Sequence, residues 1–152
     1  MSTQTMQFQL TDISTEEFAK FEENYIANRN VNLSNNFSFS VDENQKLVIC
    51  EITIDSSIKN KIFLKIKVRF MFLITEESWY ELVSEDKKHI IFPKNLIVHF
   101  FMLSMGTIRG IVHEKLKDLK SEMSQYILPL INISDVITED VIISIAEKIN
   151  KN

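Results

Sequence analysis

The sequence predicts an α+β domain in which a four-stranded antiparallel meander sheet carries a long apolar helix and a C-terminal helix. Three observations lead to this fold class. Apolar and polar residues alternate in four separate runs, short turn-like segments favour hairpins between them, and a helix-type apolar segment follows Pro93. With 152 residues and ordinary proportions of hydrophobic and charged residues, the chain is expected to form one domain, 1–152.

The alternating runs are the predicted strands. The run at 61–74 is the clearest, because every even position from 62 to 74 is apolar. In the first run the alternation shifts near Asp12, so residues 14–17 fit either the capping box of a short helix or a strand that continues past a bulge. The four predicted strands are residues 6–10, 33–41, 47–54 and 61–74.

Proline marks the start of the long helix. Pro93 has a preset φ and no N–H to lose in a first turn, so a helix is expected from there to about Lys117 or Lys120. Apolar residues cover most of its girth, which predicts burial on more than one side and therefore self-association. Pro129 favours an extended connector at 128–132, and a last helix is expected from about Ser134. The predicted core stripe of that last helix is Ile137, Val141, Ile145 and Ile149. Lys148 and Lys151 lie near its end, where the helix dipole favours positive charge.

Aromatic residues on the second strand and in the crossover segment 75–89 are candidates for binding an apolar ligand or a peptide. The candidates are Phe37, Phe39, Trp79 and Tyr80. A second interpretation is equally open, in which the phenylalanines belong to the core and the Trp-Tyr pair anchors the crossover.

Composition argues against several classes of function. The net charge of −4 provides no basic field for a phosphate backbone, so no nucleic-acid partner is expected. Two glycines are too few for a phosphate-cradling loop, and the three histidines lack metal-ligand spacing. Lone Cys50 is expected to be a buried structural thiol. We therefore assign no catalytic residue, no metal and no cofactor, and expect a protein that is not an enzyme.

The sequence also predicts a cytoplasmic location. The first ten residues lack the basic region and apolar run of a signal peptide. The continuous apolar run at 96–105 is shorter than the roughly 20 residues that a bilayer span needs. It is interpreted as part of a core helix, and no membrane insertion is expected.

An arginine interrupts the apolar helix next to a glycine. Arg109 must find a carboxylate or carbonyl partner. Gly110 makes the helix less stable by about 1 kcal/mol relative to alanine, so a close approach of another backbone or a kink is expected to require it. Both features are interpreted as packing and assembly features. The candidate residues of an interface between subunits are Phe100, Leu103, Thr107, Arg109 and Gly110.

The order of elements and several short motifs resemble the SecB protein-export chaperone family. The motifs are Phe92-Pro93 at the helix start, Ser104 followed by Arg109-Gly110 on the helix, the Leu128-to-Asn132 connector, and the Phe8-to-Ser14 opening strand. The resemblance implies a homotetramer, a dimer of dimers, with the long helices packed between sheets. It further implies a holdase that binds unfolded or secretory polypeptides in apolar grooves without ATP, with SecA or an antitoxin as further partners.

The chain also departs from the family pattern. Its crossover contains no glycine, its segment between Gly110 and Leu128 is longer and charged, and its last residues lack the acidic tail of export SecB. These departures suit the divergent SecB-like branch, some of whose members accompany toxin–antitoxin modules, and they leave coupling to SecA open. Two alternatives to a broad holdase are an adaptor with one dedicated partner and a small-molecule-binding α+β domain.

Overall fold

The computed structural model describes residues 5–145 of the chain. Within that range, a four-stranded antiparallel sheet carries a long helix on one face, and a two-stranded sheet leads into that helix. The strands are β1 (Phe8–Lys20), β2 (Asn32–Asp42), β3 (Leu47–Ile58), β4 (Lys61–Ile74), β5 (His89–Phe92) and β6 (Val141–Ser144). The helices are α1 (Glu76–Leu82), α2 (Lys94–Leu116) and α3 (Ile133–Val136), with single 3-10 turns at Glu22–Asn24 and Glu122–Gln125.

The predicted α+β class and the four antiparallel strands are confirmed, but the meander connectivity is wrong. The strand order is β1-β4-β3-β2, so only β2, β3 and β4 follow one another as hairpins. Strand β1 pairs with β4, with Phe8 opposite Ile74, and residues 21–31 carry the chain across the end of the sheet to β2. The connection at residues 21–31 is long enough for β1 and β2 not to be neighbours in the sheet. Pairing of β1 with β4 places Phe8 edge-on against Phe100 of α2.

Strand β1 resolves the alternative that the sequence left open at residues 14–17. The strand continues through this segment, and its pairing with β4 shifts register between Leu10 and Asp12 and again between Thr15 and Glu17. Each shift is a bulge that places an extra residue on β1. The bulges explain why strict alternation stops near Asp12 although the strand does not.

Helix α2 packs one face on the sheet. Phe100 lies against Phe72 of β4 and Phe101 lies against Phe37 of β2, with ring centroids 4.8 and 5.1 Å apart. By length and composition alone, the helix could cross a membrane. Its packing on the sheet accounts for the apolar residues of its inner face, in agreement with the interpretation of a core helix. The buried residues of the helix are Ile97, Phe100, Phe101, Ser104, Met105, Ile108, Val112 and Leu116.

A second packing centre lies at the opposite end of the sheet from α1. The rings of Tyr25, Phe63 and Tyr126 meet edge to face, with centroids 5.0 to 6.0 Å apart. The hydroxyls of Ser56 and Tyr126 share a buried hydrogen bond of 2.9 Å. Burial raises the pKa of the Tyr126 hydroxyl, and the bond to Ser56 offsets part of that effect. This cluster attaches the segment after α2 to the sheet.

The crossover contains a helix that the sequence analysis did not identify. Thr75 caps helix α1 by accepting a hydrogen bond from the Ser78 amide at 3.4 Å. Trp79 and Leu82 are buried on its inner side. The helix has only seven residues, so its apolar pattern covers too few turns for a clear helical period.

The predicted C-terminal helix begins where expected but ends at Val136, so the prediction is wrong over residues 137–145. Helix α3 is a single turn, and residues 141–144 form β6, which pairs antiparallel with β5. Consecutive β-branched residues favour a strand, and β5 provides an edge for them to pair with. The remaining part of the prediction, with Ile149, Lys148 and Lys151, lies outside the described residues.

Cys50 is fully buried in the sheet, and burial raises the pKa of its thiol from 9.0 to about 12. The neutral thiol therefore stabilises the fold fully below pH 9, and this contribution is lost as the pH rises toward 12. We expect the free energy of unfolding of the natural chain to fall about 2 kcal/mol more than that of Cys50→Ala between pH 9 and about pH 10.5. Urea titrations of both proteins across this range measure the difference, and parallel curves would contradict it.

Candidate functional site

Phe92 is the point on which two of the four candidate aromatic residues converge. It is fully buried at the end of β5. The ring of Phe39 on β2 lies 5.1 Å from it, and the indole of Trp79 on α1 lies 6.2 Å from it. Phe37 lies two residues before Phe39 on the same face of β2, and packs against α2 instead. Strand β2, helix α1 and strand β5 thus meet at one aromatic cluster.

The four candidate aromatic residues differ in the solvent exposure of their side chains. Trp79 is 5% exposed and anchors α1, which is the core interpretation that the sequence left open. Phe37 and Phe39 are half-buried at the edge of the sheet. Tyr80 is 64% exposed, and its hydroxyl lies 3.5 Å from a carboxylate oxygen of Glu76. An incoming chain therefore has access to Tyr80 and to the exposed parts of the two phenylalanines. Trp79 is buried against Phe92, on which Phe39 also packs.

Strand β2 presents a free edge beside these rings. It pairs with β3 over its whole length without a register shift, and no other strand in residues 5–145 pairs with its outer side. It contains neither proline nor lysine, the residues that often protect an edge strand. The opposite edge strand, β1, is interrupted by two bulges. The β2 edge is therefore the better template in the sheet for an added strand.

An open depression continues from Tyr80 toward the two-stranded sheet. Tyr80, Val83 and Ile145 contribute its apolar surface. Ser84, Glu85 and Lys87 also line it, in the turn that precedes β5. The depression thus combines apolar and charged side chains from α1, from the turn before β5 and from the residue that follows β6.

The outward face of α2 holds three of the five candidate interface residues. Leu103 is 44% exposed, Thr107 is half-buried, and Gly110 is exposed. A Cβ added at Gly110 would meet no heavy atom within 4 Å in the described part of the chain, so the close approach expected there does not occur within this subunit. Phe100 is different, because it is fully buried against Phe8 and Phe72 of its own chain. It belongs to the core and offers no surface to a second subunit.

Arg109 finds the carbonyl partner that its position requires. Its Nε donates a 3.1 Å hydrogen bond to the backbone oxygen of Leu128. This bond fixes the extended connector beside α2, where the exposed side chains of Met102 and Leu130 border a small apolar depression. Residues 128–132 form neither a helix nor a strand, and Asn132 at the end of the connector has extended backbone. Arg109 acts within the subunit by this contact, whereas its proposed part in an interface stays a prediction.

Comparison with known proteins identifies the fold. No protein-family model matches the sequence, and no curated protein matches it. Among solved structures, the chain matches a SecB-like chaperone of Mycobacterium tuberculosis, Rv1957, solved in complex with a ChAD peptide from the Rv1956 HigA1 antitoxin. The match covers 82% of this chain and 90% of that chain at 12% sequence identity, with a TM-score of 0.50. The chain therefore has a divergent SecB-like fold, as the sequence motifs predicted.

Removal of the Arg109 side chain is expected to destabilise the subunit. Arg109→Ala leaves the Leu128 carbonyl without its charged donor, which we expect to lower the free energy of unfolding by about 1–2 kcal/mol. His113→Ala, at an exposed position on the same helix, serves as the control and should change it by less than about 0.5 kcal/mol. Urea unfolding monitored by circular dichroism gives both values, and equal losses would show that the hydrogen bond does not stabilise the connector.

Proposed function

We propose that this chain, which has the SecB-like fold, is a cytoplasmic, ATP-independent chaperone that binds unfolded polypeptides. The observation that carries the proposal is the free edge of β2 beside the half-buried rings of Phe37 and Phe39. Tyr80 on α1 adds a largely exposed aromatic side chain. The first candidate function is a broad holdase activity that serves protein export or protects unfolded proteins from aggregation.

The chemistry of this surface suits a nonnative client. An unfolded chain exposes apolar side chains together with backbone N–H and C=O groups. A strand added to β2 satisfies the backbone groups without reading a particular sequence, and the aromatic rings cover alternate apolar side chains. A folded protein has already paired its backbone, so the same surface offers it little. Selectivity for unfolded chains follows from this difference.

We propose further that four copies assemble as a dimer of dimers through the outward face of α2. This face carries the exposed Leu103 and two glycines, Gly106 and Gly110. Among the described residues, a Cβ added at either glycine would meet no heavy atom within 4 Å beyond its chain neighbours and the backbone of the helix itself. Small residues on a helix allow a second helix to approach closely, and burial of the exposed apolar side chains then stabilises the contact. Assembly would bring several β2 edges into one particle, which increases the avidity for a long client.

A dedicated peptide partner is the second candidate function. The matched structure of Rv1957 contains a peptide from an antitoxin, and a single extended peptide is also what the β2 edge and its aromatic rings fit. In this form the protein is an adaptor for one antitoxin-like segment. The breadth of binding separates the two candidates, because a holdase protects unrelated denatured proteins and an adaptor does not.

The test is an aggregation assay with two unrelated denatured proteins, combined with a light-scattering measurement of mass. A holdase suppresses aggregation of both at near-stoichiometric ratios without ATP and ignores the folded proteins. Tyr80→Ala is expected to weaken client affinity roughly five- to tenfold, since it removes an exposed aromatic contact without disturbing the core. Phe21→Ala, at a 42% exposed aromatic position near the opposite end of the sheet, is the matched control and should bind normally. An inactive natural chain would instead favour the adaptor or a small-molecule-binding domain.

Gly110 provides a test of the proposed assembly. Gly110→Leu places a bulky side chain on the outward face of α2 and is expected to shift the tetramer toward smaller species by about tenfold or more in dissociation constant. Lys61→Leu, an exposed position at the start of β4, is the control for added apolar surface. Analytical ultracentrifugation of the natural chain and both variants measures the shift. An unchanged mass in Gly110→Leu would exclude this helix face from the interface.

A further inference from the structure

Strand β6 covers the edge of β5 that borders the aromatic cluster. In the two-stranded sheet, Val141 lies opposite Phe92, and Ile143 lies opposite Ile90. Val141 and Ile143 are half-buried against the core, whereas Ile142 is 63% exposed. The cluster in which Phe39 and Trp79 meet Phe92 is therefore closed on one side by a segment from the C-terminal part of the same chain.

Within residues 5–145, β6 is held mainly by its pairing with β5 and by one hydrogen bond at each end. It has four residues, and β5 is its strand partner among the described residues. At its start, Asp140 accepts a 2.7 Å hydrogen bond from the amide of Lys94, the first residue of α2. At its end, the Ile145 amide donates to the Lys88 carbonyl at 2.8 Å. Residues 138–140, which lead into β6, are exposed. Such a short strand with an exposed lead-in is among the segments of lowest local stability.

The composition of β6 matches the chemistry of the proposed client. Val141, Ile142 and Ile143 are consecutive β-branched apolar residues in an extended conformation, and an unfolded polypeptide offers segments of this kind. The other edge of β5 is bridged by Val83 at Ile90, so the position of β6 is the one at which a further strand can pair with β5. The structure thus contains an example of the ligand that this edge accepts.

We propose that β6 is an exchangeable strand, and that an extended, apolar, β-branched peptide displaces it from β5 when a client binds. The inference rests on the proposed function and adds a second binding edge to that of β2. Exchange replaces the ladder hydrogen bonds and the apolar contacts of β6 by equivalent ones, so the client has to offset only the entropy cost of association by contacts that β6 does not make. A client longer than four residues makes further contacts with the depression beside Tyr80, and these favour the exchanged state.

Hydrogen exchange in the unmodified protein gives a direct test. In an antiparallel ladder, hydrogen-bonded and non-hydrogen-bonded pairs alternate. The bond from Ile145 to Lys88 therefore makes Val141 and Phe92, and likewise Ile143 and Ile90, hydrogen-bonded pairs. The probe is a synthetic peptide with the sequence of residues 138–145, and the control peptide carries proline in place of Ile143. On adding the probe, the Val141 and Ile143 amides should lose protection while the Ile90 and Phe92 amides keep it.

The second test is a disulfide that joins β5 to β6 and prevents strand exchange, here called the lock. Ile91 and Ile142 form a non-hydrogen-bonded pair with outward side chains, and the short separation of such pairs suits a disulfide. The oxidised Ile91→Cys/Ile142→Cys protein should bind the probe and a denatured client about tenfold or more weakly, with binding restored by reduction. Each single cysteine variant is a control, and native Cys50 is buried away from the lock.

The outcomes separate this inference from the proposed function. Equal binding by the oxidised and reduced proteins, or added protection confined to β2 amides, would overturn strand exchange and leave the chaperone function standing. Client binding without any binding of the 138–145 peptide would do the same. A natural chain that binds neither the peptide nor a denatured client would overturn both proposals.

Discussion

The packing of α2 on one face of the sheet is the contact on which the rest of the structure depends. Two consecutive helix residues reach the two edge strands: Phe100 contacts Phe8 of β1, and Phe101 contacts Phe37 of β2. The same helix is joined to the connector by Arg109, and its first amide is capped by Asp140 ahead of β6. The helix covers the middle of the apolar sheet face, and Phe92 and Tyr126 cover parts of its two ends. The edge-strand residues Phe8, Phe37 and Phe39 remain only half-buried.

This one-sided packing leaves the surfaces to which we attribute function. The outward face of α2 retains exposed apolar residues and two glycines, which suit contact with another subunit. At the β2 edge, Phe37 and Phe39 are held from beneath by the helix and β5 but keep one side accessible. Backbone groups and aromatic rings therefore lie next to each other at one edge. That combination recognises extended chains in general, since neither group reads a specific side chain.

Around Phe92, buried core residues lie next to the short strand β6. Phe92, Trp79 and Ile90 are buried, whereas β6 is a four-residue strand with an exposed lead-in. A binding surface that is apolar and permanently open would invite aggregation of the free protein. A short internal strand over the β5 edge limits this risk, and an incoming strand that replaces it restores its contacts.

The sequence by itself determined the elements that depend on local chemistry. Period-two alternation identified all four strands of the main sheet, and Pro93 identified the start of α2. The ordered motifs from Phe92 to Asn132 predicted the SecB-like fold that the structural match supports. Tertiary structure alone decided that β1 lies beside β4, that residues 141–144 form a strand on β5, and that Phe100 faces the core of its own subunit. The physical reason is that periodicity reports which residues share a face, whereas the partner of that face or edge is chosen by contacts distant in sequence.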